Sequence, residues 1–197
     1  MGFFENFSSR IKCLFLQNNS FSAMNKKDCI LCKGSEQSTL YYIVDFDDEY
    51  LYALSVYIGP RMVQGLEYPS RYNKTLPDDI VIMPSETYDK AKKLMCQYVK
   101  KIHAVLCKEY LKDKEELALN HTYTDGAYIY TMTEFNGERW FYNLFRVENE
   151  NISPEWHGNA KADDLDGLLP IADSTVTKVY QLYEELQQKT KKLFGII

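Results

Sequence analysis

No stretch of the chain approaches the ~18 consecutive apolar residues of a membrane-spanning helix. Glycine is sparse, nine in 197 residues, and none cluster. The glycine patterns that cradle phosphates or dinucleotides are therefore absent. Histidine is sparser still: His103, His121 and His157 stand far apart. With no G-x-S-x-G elbow either, Ser–His–Asp chemistry has no support. Basic excess is missing too. The net charge of −5 is the wrong sign for a phosphate-binding surface, so no nucleic-acid partner is expected. A signal peptide is not expected, because Glu5 interrupts the start and the apolar run from Cys13 to Leu16 is too short. The five cysteines are odd in number and irregular in spacing, which reads as thiols in a reducing, bacterial-type cytoplasm.

What the chain does have is tyrosine, sixteen of them against two tryptophans. Tyrosine suits half-buried strands, ring inside and hydroxyl wet, and it also suits protein-binding surfaces. Hydrophobic content of 45% and charged content of 26% are ordinary for a globular domain.

Two regions are expected: residues 1–23, a short amphipathic helix and its linker, then a single α+β domain over 24–197. Phe4, Phe7, Ile11, Leu14 and Phe15 recur at helical spacing within 2–16, and that helix is a candidate for membrane-surface contact. Aromatic and β-branched runs predict strands over 39–46, 49–58, 79–83, 127–135 and 138–147. Asn136-Gly137 predicts a two-residue hairpin turn, with Glu134 facing Arg139, Met132 facing Phe141 and Ile129 facing Leu144. Long helices are expected from Ser85 to about Leu111 and from about Ser174 to Phe194. Residues 60–78 and 148–172 read as irregular loops, and no internal repeat is visible. The expected fold is an antiparallel sheet of about five strands with two long helices packed on it.

Cys29-Ile30-Leu31-Cys32 is the main candidate for site chemistry. A structural zinc needs four ligands, and His103 with Cys107, one helical turn apart, could complete the set. Apolar packing of the same cysteines is the competing expectation. His121 near Asp125 and His157 near Glu155 permit acid–base work without indicating it. The acidic stretches Asp45–Glu49 and Asp163–Gly167 read as solvated turns.

The run Asp28-Cys29-Ile30-Leu31-Cys32-Lys33 resembles the opening of histidine-triad nucleotide hydrolases, and Asp79-Ile80-Val81-Ile82-Met83-Pro84 resembles a later strand of that family. The family's reaction depends on a His-x-His-x-His run, which this sequence lacks, so neither its fold nor its activity is carried over. The expected function is a non-enzymatic protein-binding module, of the immunity or adaptor kind. Tyr68, Tyr72 and Trp156, in the two polar loops, are its candidate contact residues. The alternative is an unrecognised or degenerate hydrolase acting on nucleotides with a structural zinc. The cofactor expectation is none, or that one zinc.

Overall fold

The structure, a computed structural model, describes residues 25–66, 68–73, 80–107, 115–148 and 151–197. The expected helix over 2–16 lies outside the described residues. In chain order the elements are β1 (Cys29–Lys33), β2 (Ser38–Phe46), β3 (Tyr50–Gly59), β4 (Met62–Gly65), β5 (Ser70–Asn73), β6 (Ile80–Met83), α1 (Glu86–Leu106), β7 (Thr122–Thr124), β8 (Tyr128–Phe135), β9 (Arg139–Glu148), β10 (Asn151–Lys161), β11 (Leu169–Pro170) and α2 (Asp173–Leu193). A single 3-10 turn over Ala162–Leu165 separates β10 from β11. None of the described helices is long and apolar enough to cross a membrane.

The sheet is larger than the five strands expected. Eleven strands join in the order β11-β7-β8-β9-β10-β4-β3-β2-β1-β6, with β5 paired to β3 beside β4. Every pairing is antiparallel. The six additional strands are β1, β4, β5, β7, β10 and β11. The α+β character stands, because two 21-residue helices accompany this sheet.

The chain contains a structural repeat that the sequence hides. The first half runs through a four-strand meander, the extra strand β5 on β3, a strand that returns to pair with β1, and then α1. The second half runs through a four-strand meander, a strand that returns to pair with β7, and then α2. Adding 89 to a residue number in β2, β3 or β4 gives its counterpart in β8, β9 or β10, while β1 and β7 align at an offset of 93. The β2–β3 ladder breaks register between Ile43 and Asp45, and the β8–β9 ladder breaks between Met132 and Glu134. Asp47 Oδ1 accepts from the N–H groups of Glu49 and Tyr50, as Asn136 Oδ1 accepts from those of Glu138 and Arg139. These are two copies of one Asx turn. The halves meet where β4 pairs with β10, and there Val63 lies opposite Ile152, its own counterpart. A pseudo-twofold axis passes between them.

The Asn136-Gly137 hairpin is wider than its sequence predicts. Phe135 lies opposite Trp140, and the expected pairs give way to Glu134–Phe141, Met132–Tyr142 and Ile129–Phe145. Asn136 uses its side chain to cap two N–H groups, and Asn136 N–H reaches the Arg139 carbonyl. That stabilises a turn closed over four residues rather than two.

Both helices cover one face of the sheet. The apolar stripe of α1, Tyr88, Ala91, Met95, Val99, Ile102 and Leu106, is buried. It meets Val179, Leu182, Tyr183 and Leu186 of α2 over Val56, Val63, Val147 and Ile152. Tyr180 of α2 is 40% exposed, and its ring meets Phe145 edge-on. Tyr98 Oη donates to Glu185 at 3.0 Å, while the start of α1 lies beside the end of α2, so the helices run antiparallel across the axis. Burying the core residues of this layer supplies about 2 kcal/mol each.

Candidate functional site

Among the described residues, no α-helix lies on the sheet's other face. Strand alternation assigns its residues: Leu40, Leu54, Val56 and Ile58 point to the helices, so Thr39, Tyr41, Ser55 and Tyr57 point away. Two small cores sit on this side, one per half. Ile30, Cys32, Ile43, Leu51 and Ala53 form the first, and Tyr123, Met132, Leu165 and Leu168 form the second.

Between the first small core and the axis lies a cleft of about 290 Å³. Thr39, Tyr41, Ser55, Tyr57, Met62, Gln64, Leu66 and Tyr72 line it, and none is charged. Its walls are held by short contacts. Tyr57 Oη donates to Gln37 Oε1 at 2.7 Å, and Ser55 Oγ and Tyr72 Oη share a hydrogen bond at 3.2 Å. The Tyr41 ring meets the Tyr72 ring edge-on at 4.8 Å. Burial, then the neighbouring Cys32 and Tyr72, pushes the Tyr41 phenol above its ordinary value, so it remains a neutral donor.

Glycines let two tyrosines lie down on the sheet. A Cβ at Gly59 would come within 2.5 Å of Tyr57 Oη, and one at Gly158 within 2.6 Å of the Tyr142 ring. Both rings therefore fill the space a side chain would take and turn a flat face outward.

Across the axis the equivalent surface has diverged. Thr39, Tyr57 and Gln64 correspond to Tyr128, Arg146 and Ser153. Here Arg146 Nε donates to Glu148 Oε2 at 3.0 Å, and Tyr128 Oη donates to the same oxygen at 2.9 Å. The Arg146 guanidinium, with Tyr128, holds the Glu148 carboxyl below its ordinary range. Arg146 also faces the Trp156 ring at 5.9 Å, and Trp156 Nε1 donates to Ser153 Oγ at 3.0 Å. Ser153 Oγ in turn donates to the Arg61 carbonyl at 3.4 Å, which carries the network back into the first half.

Tyr72 and Trp156, far apart in sequence, thus share one face, Tyr72 lining the cleft and Trp156 46% exposed beside it. Tyr68 is 77% exposed in the turn joining β4 to β5, at the margin of the same region. Thr39, Tyr41, Ser55, Tyr57 and Gln64 escaped sequence reasoning. The signal was present: odd positions in 39–43 and 53–57 are more polar than the even positions of 40 and 54–58.

The four cysteine and histidine candidates are placed apart. Cys29 and Cys32 are on strand β1, where residues three apart point to opposite faces. Cys29 belongs to the helix-side core and its thiol donates to the Ser85 carbonyl, whereas Cys32 belongs to the small core opposite. His103 Nε2 hydrogen-bonds with the Val147 carbonyl at 3.1 Å, and Cys107 is exposed just past α1. Among the described residues no three His, Cys, Asp or Glu side chains gather as a metal would require.

Of the acid–base candidates, His157 and Asp125 bond to other groups. His157 Nδ1 bonds with Asn143 Oδ1 at 2.7 Å. Asp125, near His121 in sequence, instead receives the N–H groups of Ala127 and Tyr128 and the hydroxyl of Tyr130, which makes it a turn residue. In comparison with known proteins, the chain matches no family model and none of the curated proteins.

Proposed function

We propose that this chain is a non-enzymatic protein-binding module, of the immunity or adaptor kind, that receives a partner protein on its helix-free face. The observation that carries this reading is the uncharged, tyrosine-lined cleft between Tyr41, Tyr57 and Tyr72. Tyrosine offers broad, rigid contact area at the cost of ordering only two torsions, and Ser, Thr and Gln beside it offer adaptable hydrogen bonds. Trp156 and Arg146 extend that surface with residue types that anchor interfaces. A charged substrate would want a counter-charge in the cleft, and its lining has none. The function requires no cofactor, and a cytoplasmic setting suits the buried free thiols Cys29 and Cys32.

The test compares wild type with a Tyr57→Ala/Tyr72→Ala double variant. Each is used to capture partners from extract of the source cell, and the captured protein is then purified and titrated by calorimetry. One discrete protein should bind wild type and lose at least about tenfold in affinity for the double variant. Equal affinity for both, with the fold intact by circular dichroism, would remove the cleft from the interface.

A further inference from the structure

The helical layer carries a second surface with the opposite character. Five lysines of α1 stand against Glu86 and Asp89, and four of α2 against Asp173, Glu184 and Glu185. The two helices are therefore net +4 within a chain of net −5. Four of these nine lysines line a groove of about 390 Å³ between the first half of α1 and the end of α2. Lys90 and Lys93 form one wall, Lys189 and Lys192 the other, and Leu94, Gln97 and Leu193 complete it, with no acidic residue in the lining.

Among the described residues Lys90 forms an ion pair here, with Glu86 at 3.3 Å. Lys189 instead lies 5.2 Å from the centre of the Tyr98 ring. The other end of the helix pair is not equivalent, since α2 begins there with Asp173 and has no lysine before Lys178. Toward that end the pair carries Lys100, Lys101 and Lys178 against Asp173.

We propose that this groove docks an acidic amphipathic helix supplied by a partner protein. Two antiparallel helices leave a furrow that a third helix fills by ridge-into-groove packing. The leucines offer an apolar floor to that helix's apolar stripe. The four ammonium groups, on stems that can lie along it, meet carboxylates on both its flanks. A flat anionic bilayer would touch the rims without reaching Leu94 and Leu193. The chain's own segment 2–16 carries Arg10 and Lys12 against Glu5, which is the wrong sign. This surface is on the face opposite the tyrosine cleft, so it stands or falls separately from that reading.

The experiment uses a fluorescein-labelled peptide of about 15 residues, with a leucine stripe at helical spacing and glutamates on both flanks. A matched peptide carries lysines in place of the glutamates. Anisotropy with the full chain should show binding of the acidic peptide only, weakening between about 50 and 200 mM salt. Lys93→Glu with Lys192→Glu should weaken it roughly tenfold, while Lys93→Arg with Lys192→Arg should retain it. Tyr57→Ala/Tyr72→Ala should leave this binding unchanged. Equal binding of both peptides, no binding of the acidic one, or indifference to the charge reversal would overturn the proposal. So would phosphatidylserine vesicles, or a second copy of this chain, occupying the groove with the same lysine dependence in place of the peptide.

Discussion

Val63 and Ile152 lie opposite each other in the β4–β10 ladder, and each is the other's counterpart in the repeat. Both are fully buried under the two helices, in one core with Val56 and Val147. The axis of the molecule is thus an apolar contact between equivalent residues, and among the described residues the ladder joins two residue pairs there. Their side-chain burial beneath the helices joins the halves in one core.

Truncating either residue should therefore destabilise both halves together. Ile152→Ala is expected to cost about 2–4 kcal/mol and Val63→Ala somewhat less, from lost burial plus the cavity left behind. Urea denaturation followed by far-ultraviolet circular dichroism and by tryptophan fluorescence checks this. The two probes should give coincident, single transitions in each variant. A transition that splits would show that the halves fold separately and that the axis contact is not their common core.

The thiols of β1 yield a second prediction. Burial pushes the Cys29 thiol up to about 11, with Asp89, Asp28 and Glu86 adding to it, and burial alone pushes Cys32 up to about 11. The ordinary value is 9.0, so at pH 8 each holds about a hundredfold less thiolate than an unperturbed cysteine. Iodoacetamide on the native protein should label exposed Cys107 while sparing Cys29 and Cys32, and labelling in urea should reach all three. Peptide mass spectrometry reads the order. Labelling of Cys29 as fast as Cys107 would show that β1 detaches from β2 and β6 in solution.

These cysteines also show why the sheet was only partly legible. Strands covered by aromatic and β-branched alternation announce themselves, as β2, β3, β8 and β9 do. In β1 residues 29–32 are buried on both faces, so it has no alternation, and its two cysteines read as a motif. Within β10, Ser153, Pro154 and Glu155 interrupt the pattern. They fall at a register shift between Ser153 and Trp156, where a missing N–H is tolerated. Pro60, Gly65 and Pro69 similarly disguised β4 and β5. The repeat was hidden because counterparts seldom keep their identity: Leu40 and Ile129 or Ile43 and Met132 stay apolar, but Leu54 and Asn143 or Tyr57 and Arg146 change class. Their place in polar, loop-like segments drew attention to Tyr72 and Trp156. Tyr41 and Tyr57 join them only through pairing across β2, β3 and β4, which no local pattern encodes.

The helix-free face should make the fold sensitive to alkali. Burial is the first cause that raises the phenols of Tyr41, Tyr123, Tyr128, Tyr130 and Tyr142 above 10.0, their ordinary value. For Tyr130 the adjacent Asp125 adds to the effect, its Oδ2 accepting the phenol proton at 3.0 Å. A group whose value is raised on folding stabilises the fold fully below its unfolded value. That contribution is lost as pH rises through the interval up to the folded value. The thiols of Cys29 and Cys32 open this window near pH 9 and the phenols extend it beyond 10. Calorimetry should therefore give a melting temperature nearly constant from pH 7 to 8.5 and falling steadily above 9. Tyr130→Phe, which leaves no phenol to ionise, should lower the melting temperature at pH 7 through the lost Asp125 bond yet flatten the alkaline fall. An unchanged alkaline slope in that variant would mean that Tyr130 ionises as easily in the folded chain as in the unfolded one, and so is not shielded as its place beside Asp125 and Tyr142 requires.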